Sequence, residues 1–250
     1  MQRLDERYAR QIILPEIGPQ GQERLARAGV LIAGAGGLGS VTALYLAAAG
    51  IGHIKIADHD SLEPSNLNRQ IIHSEAFLGR PKVISAASRM KALNSMIRVT
   101  PVQTRITSAN IDTLLDGVEI IVDGSDNYET RQVLNRASLR HGLPFVYAGV
   151  RGFEAMVSSF VPGRTACFEC IVTGGEAPSD RGPGIVGPAA GMAASFQAME
   201  TLKLILGIGK PLENRLIRIS GLDMRIHCVN LISNPQCKAC GKFYNPDKRI

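Results

Sequence analysis

Val30-Leu-Ile-Ala-Gly34-Ala-Gly36-Gly37-Leu-Gly39 decides how the rest of this 250-residue chain is read. A short apolar run meets four glycines, and the apolar segment Val41–Ala49 follows with helical spacing. The pattern predicts a strand, a tight turn and a helix start. Glycine lets the backbone turn sharply and approach a ligand with no side chain in between. The free N–H groups and positive dipole end of the helix then favour phosphate. A glycine pattern of this kind is weak evidence alone. Here a second apolar run, His53–Asp58, ends about twenty residues later on an acid, the placement a nucleotide ribose requires.

Outward from this unit, Pro81 is placed to open a helix over 82–93, and 97–106 reads as β. The β-branched run Gly117–Val122 predicts a buried parallel strand ending in the turn residues Asp123-Gly-Ser-Asp126-Asn127. A helix over 128–140 and a strand over 144–149 follow. Beyond Gly152 the pattern changes, because 153–161 is extended with no crossover helix before the next strand. Antiparallel strands added to a parallel sheet are therefore expected. Gly174–Pro188 reads as a mobile loop, 191–206 as a helix, and 216–219 and 224–231 as the last strands. The expected class is α/β, Rossmann-like, over residues 1–250. About 28–150 form the nucleotide-binding half. About 151–250 hold the antiparallel strands, the loop and a metal site.

Bulk properties narrow the function. With 45% hydrophobic and 20% charged residues, the chain has the composition of a protein with a large core. The charged N-terminus carries no leader, so the cytoplasm is the expected location. A net charge of +6 raises the question of nucleic acid. The basic residues are scattered, however, without aromatic platforms, which fits phosphate chemistry and an acidic partner better.

Two clusters carry chemistry. Ser65-Asn66-Leu67-Asn68-Arg69-Gln70 and Lys82 follow the ribose acid and are expected near the phosphates. Cations there suit a triphosphate that loses pyrophosphate, whereas a nicotinamide enzyme has no need of them. Asp126 reads either as a Mg²⁺ ligand at the sheet edge or as the cap of the following helix. No nucleophile with a neighbouring base is visible. Cys167-Phe-Glu-Cys170 and Cys237-Lys-Ala-Cys240 together supply the four thiolates of a structural zinc site, which is favoured over two redox pairs. Cys228, in a predicted strand, is expected to be buried.

With Arg7-Tyr8-Ala-Arg10-Gln11-Ile-Ile-Leu14-Pro15-Glu16, the glycine turn, Asp58-His-Asp60, Ser65–Gln70, Gly79-Arg80-Pro81-Lys82, Asp123–Asn127 and two CxxC pairs in order, the chain resembles the HesA/MoeB/ThiF family. The resemblance implies a homodimer that uses ATP to adenylate the C-terminal glycine of a small ubiquitin-like sulfur-carrier protein ending in Gly-Gly. It implies that Gly37, Asp58, Asn66, Arg69, Lys82 and Asp126 line the ATP site, which adds to Gly34, Gly36, Gly39, Ser65, Leu67, Asn68 and Asn127 from the motifs. Asp126 would hold Mg²⁺, Arg10 would reach the partner subunit's triphosphate, and the paired cysteines would bind Zn²⁺. No cysteine occurs between Ile171 and Ser195, where covalent relatives carry one. The acyl-adenylate is therefore expected to pass to a separate sulfur donor protein, since the chain stops soon after the second CxxC. Two other readings compete, a nicotinamide-dependent oxidoreductase and a non-catalytic zinc-stabilised binder of ubiquitin-like partners. The first leaves Arg10, Arg69, Lys82 and Asp126 without work.

Overall fold

Residues 2–172 and 184–241 are described by the computed structural model. Helices α1 (Gln2–Ile12) and α2 (Gly18–Arg27) precede β1 (Gly29–Ala33), α3 (Gly37–Ala49), β2 (His53–Asp58), α4 (Lys82–Leu93) and β3 (Arg98–Gln103). The short α5 (Ile111–Leu114) then leads to β4 (Ile120–Asp123), α6 (Tyr128–His141) and β5 (Phe145–Arg151). The chain continues through β6 (Glu154–Phe160), the single turn α7 (Phe168–Ile171), α8 (Gly187–Leu206), β7 (Arg215–Ser220) and β8 (Arg225–Asn230). All eight strands form one sheet in the order β3-β2-β1-β4-β5-β6-β7-β8. The first five are parallel, and β6, β7 and β8 add antiparallel strands. Among the described residues no helix is long and apolar enough to cross a membrane.

The sequence pattern explains the layers. Strand β1 is buried along its length, and its side chains alternate between two cores. Val30 and Ile32 pack with Leu46, Ile54, Ile56 and Met90, while Leu31 and Ala33 pack with Ile111, Leu134, Phe145 and Phe168. Such two-sided burial is what a continuous apolar run in a parallel sheet requires. Each fully buried Ile or Leu contributes about 2 kcal/mol. The turn Gly152-Phe153, with Gly152 at φ +58°, reverses the chain between β5 and β6.

Two boundaries differ from expectation. Helix α3 starts at Gly37, four residues early, because the glycines themselves form its first turn. Helix α8 starts at Gly187 with Pro188 in its first turn, so the end of the expected loop is helical. Glycine is required there, since a Cβ at Gly187 would stand 2.6 Å from the Asn68 carbonyl oxygen. Residues 174–183 of that loop lie outside the described residues.

After β1 the glycines divide by what surrounds them. Gly34 has φ +116°, and a Cβ on it would fall 2.4 Å from the Gly124 carbonyl oxygen. A Cβ on Gly39 would fall 1.9 Å from the Gly34 carbonyl oxygen. At Gly36 the nearest protein atoms would be 3.9 Å away, with φ at −80°. Gly39→Ala is expected to lose about 3 kcal/mol or more in urea unfolding, because backbone must move. Gly36→Ala is expected to lose less than about 1 kcal/mol. Equal losses would show that the turn, and not local crowding, sets the glycine requirement.

Candidate nucleotide site and thiol centre

Strands β1, β2 and β4 end at the same edge of the sheet, and β2 and β4 lie on opposite sides of β1. Successive connections therefore leave β1 in opposite directions, which opens a crevice at that edge. One lip is the glycine turn. Asp58 at the end of β2 holds it, for its Oδ2 accepts the Ala35 N–H at 2.8 Å and its Oδ1 the Asp60 N–H at 2.8 Å. His73 supports the turn from beneath, with Nε2 2.9 Å from the Ala35 carbonyl oxygen and Nδ1 2.9 Å from Ser85 Oγ. Burial holds the His73 pKa below its usual value, so the ring serves as a neutral strut.

The 65–70 stretch packs onto the same turn. A Cβ on Gly37 would lie 3.6 Å from Arg69 Cγ. The Arg69 guanidinium donates back to the Ser65 carbonyl at 2.9 Å and to Asn68 Oδ1 at 3.1 Å. Asn66 is buried, and its Oδ1 accepts the Glu63 N–H. Lys82 opens α4 and is buried, with its ammonium 2.8 Å from Asp60 Oδ2. The crevice thus has cations on one wall, each already oriented by a protein acceptor.

The other lip is 123–127. Asn127, not Asp126, caps α6, because its Oδ1 accepts the Thr130 N–H at 2.9 Å. Of the two readings of Asp126, capping is therefore excluded. Its carboxylate is exposed, and among the described residues its one hydrogen bond comes from Asn127 Nδ2 at 3.3 Å.

Beneath this lip lies a polar assembly that sequence reading missed. Asp123 is fully buried, and Arg131 Nε donates to its Oδ2 at 2.8 Å. The same guanidinium donates to the carbonyls of Ser125 (2.9 Å) and Ala148 (3.2 Å) and sits 5.2 Å over the Tyr147 ring. Ser125 gives Asp123 two more hydrogen bonds, at 2.6 and 2.9 Å. Burial pushes the Asp123 carboxyl upward, against the pull of Arg131 and Ser125. Gln197 of α8 donates to the Asp123 and Val146 carbonyls. An arginine one turn into the helix after an acidic strand end was the only sequence signal for this.

Arg10 is not brought to the crevice. Its neighbours in the motif anchor α1: Tyr8 accepts from Asn94, Gln11 donates to Gln22 and to the Ala49 carbonyl, and Arg7 donates to the Leu93 carbonyl. These anchors lie at the far end of α3, about 18 Å from the glycine turn at 1.5 Å per residue. Arg10 itself is exposed, with no hydrogen bond or ion pair among the described residues.

The four paired cysteines converge although 70 residues separate the pairs. Cys167 Sγ lies 3.8 Å from Cys170 Sγ and 3.7 Å from Cys237 Sγ, and the Cys170–Cys240 distance is 3.3 Å. A zinc tetrahedron with bonds near 2.3 Å has sulfur–sulfur edges of about 3.8 Å, so the donor set fits that ion. The Asn234 N–H also points at Cys170 Sγ, 3.5 Å away. Hydrogen bonding with Cys170 pushes the Cys167 thiol up to about 12, an unequal sharing of protons that a dication would abolish. Cys228 departs from expectation. It is exposed, because β8 is the edge strand and every residue of it is exposed.

Similarity to known proteins agrees with this geometry. The chain is 38% identical over 245 residues to the sulfur carrier protein adenylyltransferase of Thermus thermophilus, covering 94% of this chain and 90% of that protein. It is 37% identical over 241 residues to the SAMP-activating enzyme E1 of Haloferax volcanii, covering 95% and 89%. Among solved structures, Escherichia coli MccB with ATP matches with a TM-score of 0.83 and 28% identity, over 94% of this chain and 74% of that one. The ThiF family model matches residues 8–239, and the chain belongs to the ThiF family.

Proposed function

We propose that this protein is an adenylyltransferase that uses ATP to activate the C-terminal carboxylate of a small ubiquitin-like sulfur-carrier protein ending in Gly-Gly. The carrying observation is the crevice itself, with a phosphate cradle on one lip and the exposed carboxylate of Asp126 on the other. Similarity to adenylyltransferases and E1 enzymes over nearly the whole chain supports the reaction class. In this reading α3 takes the phosphates at its N-terminus and Asp58 takes the ribose. A carrier carboxylate oxygen bonds to the α-phosphorus while the bond to the bridging oxygen breaks, and the electron pair leaves with pyrophosphate. No proton has to be removed from the attacking carboxylate, which explains a site without a base. Arg69 and Lys82 stabilise the leaving charge, and their guanidinium and ammonium groups are already oriented. Asp126 would hold Mg²⁺, which supplies charge neutralisation on the phosphates.

We further propose a homodimer in which Arg10 serves the partner's crevice. It stands too far from its own. Helices α3 and α8 pack together and leave Tyr45, Phe196 and Met199 exposed, an apolar face fit for a second copy. The acyl-adenylate is the product handed to a separate sulfur donor. Burial cannot be the reason Cys228 stays out of the reaction, since it is exposed. Distance can, because β8 lies four strands beyond β4, about 19 Å across the sheet.

Pyrophosphate exchange into ATP should require the Gly-Gly carrier, and Asp126→Ala and Arg69→Ala should each lower it about a hundredfold. Undiminished exchange in both variants would remove this reading. Arg10→Ala and Asp126→Ala subunits, each inactive alone, should regain activity on mixing, because one crevice of the mixed dimer is intact. Silence despite demonstrated subunit exchange would exclude action across the dimer. One zinc per chain should be found by metal analysis, and Cys240→Ser should lower Tm before it alters exchange kinetics in the remaining folded protein. Zinc-free protein with an unchanged Tm would refute the metal assignment.

A further inference from the structure

Strands β4 and β5 pair only as far as Val122 and Val146. Beyond that rung they part, at the edge that bears the crevice, and two side chains from opposite faces of the sheet span the gap. From one face Arg131 of α6 joins Asp123 Oδ2 on β4 to the Ala148 carbonyl on β5. From the other face Gln197 of α8 does the same with a carboxamide. Its Nε2 donates to the Asp123 carbonyl at 2.8 Å and to the Val146 carbonyl at 2.9 Å. Its Oε1 accepts the Thr42 hydroxyl of α3 at 3.0 Å. Gln197 and Thr42 are both fully buried. One side chain thus binds β4, β5 and α3 together.

Packing does not require a carboxamide at this place, since its α8 neighbours Ala193, Ala194 and Ala198 meet the core with methyl groups. A buried amide is costly unless its polar atoms are paired, and a fully paired one fixes a unique arrangement of the groups around it. Two of the partners lead to the two lips of the crevice. Thr42 is the sixth residue of α3, whose first turn is the glycine lip. Asp123 is the residue at which β4 passes into the 123–127 lip. The close approach of Gly34 and Gly124 limits how near the lips can come, but it does not set their alignment. We propose that Gln197 is a positioning residue for the adenylating reaction: its carboxamide fixes the lip that carries Asp126 relative to the helix N-terminus that takes the phosphates. Displacement at phosphorus tolerates little misalignment, and a shift of about 1 Å costs about a hundredfold in rate. A buried brace therefore acts on the reaction without touching the nucleotide. This inference rests on the ATP-dependent reading above.

The test compares two variants of the intact protein. Gln197→Met keeps the length and removes every hydrogen bond of the carboxamide. Thr42→Val keeps the shape and cuts only the tie between Gln197 and α3, so it folds whatever becomes of the first variant. Carrier-dependent pyrophosphate exchange is measured across Mg²⁺ concentrations, ATP affinity by calorimetry without Mg²⁺, and Tm beside both. In Gln197→Met, kcat should fall about a hundredfold. The Mg²⁺ concentration for half-maximal exchange should rise about tenfold, with metal-free ATP affinity unchanged. Thr42→Val should move both quantities in the same direction, with kcat down about tenfold. Unchanged kcat and Mg²⁺ requirement in Thr42→Val would overturn the proposal. So would a lower Tm in Gln197→Met with both kinetic quantities intact, since Gln197 would then only fill the core. ATP affinity that falls in step with kcat would also overturn it, because that pattern marks a general loosening of the crevice. Wild-type protein without carrier-dependent exchange would instead overturn the adenylating reading, before any variant is compared.

Discussion

The crevice depends on a backbone-to-backbone approach that no side chain permits. The carbonyl of Gly124, after β4, occupies the space where a Cβ of Gly34 would stand, and the carbonyl of Gly34 occupies that of Gly39. This contact draws the end of β4 against the start of α3, so two segments almost ninety residues apart become the lips of one site. Everything chemical is hung from those lips. Asp58 ties the first to β2, and Arg131 ties the second to β4 and β5. A buried ion pair is weak evidence of net stability, because desolvation offsets its attraction. Its value here is positional. With Arg131 donating to Asp123, Ser125 and Ala148, the residue after Ser125 has little freedom to wander, and that residue is Asp126.

The thiol centre reinforces the same lip from outside. Glu169 lies between the cysteines of the first pair, and Arg136 of α6 grips it bidentately at 3.0 Å, with Asn135 adding a bond at 3.1 Å. Tyr128, the first residue of α6, donates to the Val172 carbonyl, and its ring packs on Phe168. Phe168 in turn meets Tyr147, over which Arg131 sits. The four-thiol centre therefore bears on α6 where that helix leaves the crevice. A metal held by these thiolates would have a physical reason to sit away from the crevice, for it would close a chain segment over the flank of α6.

Much of this was legible in sequence for identifiable reasons. The glycine turn, the acid that ends β2, Pro81 before α4 and the change to antiparallel strands at Gly152 are local signals, set by backbone geometry and period. The cysteine pairs were legible by count and type, although nothing in their spacing could place them side by side. What stayed hidden was non-local. Asp123 and Arg131 look like ordinary charges in a turn and a helix until the fold buries them together. Tyr8, Gln11 and Arg10 form one motif, yet only packing shows that the first two are anchors. Cys228 misled because its strand pattern suggests burial. Its register partner Ile217 is indeed buried beneath α8, but the sheet extends one strand past that cover.

The charges of the site also follow from the fold. Lys82 is neutralised by Asp60, and Arg69 is folded onto carbonyl and amide oxygens, so the crevice wall does not hold bare cations facing one another. A triphosphate needs more positive charge than that wall offers. Under the proposed reading the remainder arrives only with ligand and partner: Mg²⁺ at Asp126, and Arg10 from a second copy whose α1 is anchored by Tyr8 and Gln11. Storing the third cation 18 Å away, on a helix docked to the opposite end of α3, keeps it out of its own crevice by geometry alone. The stability of each chain then does not bear the repulsion of a complete site, and the cations are assembled where the phosphates repay it.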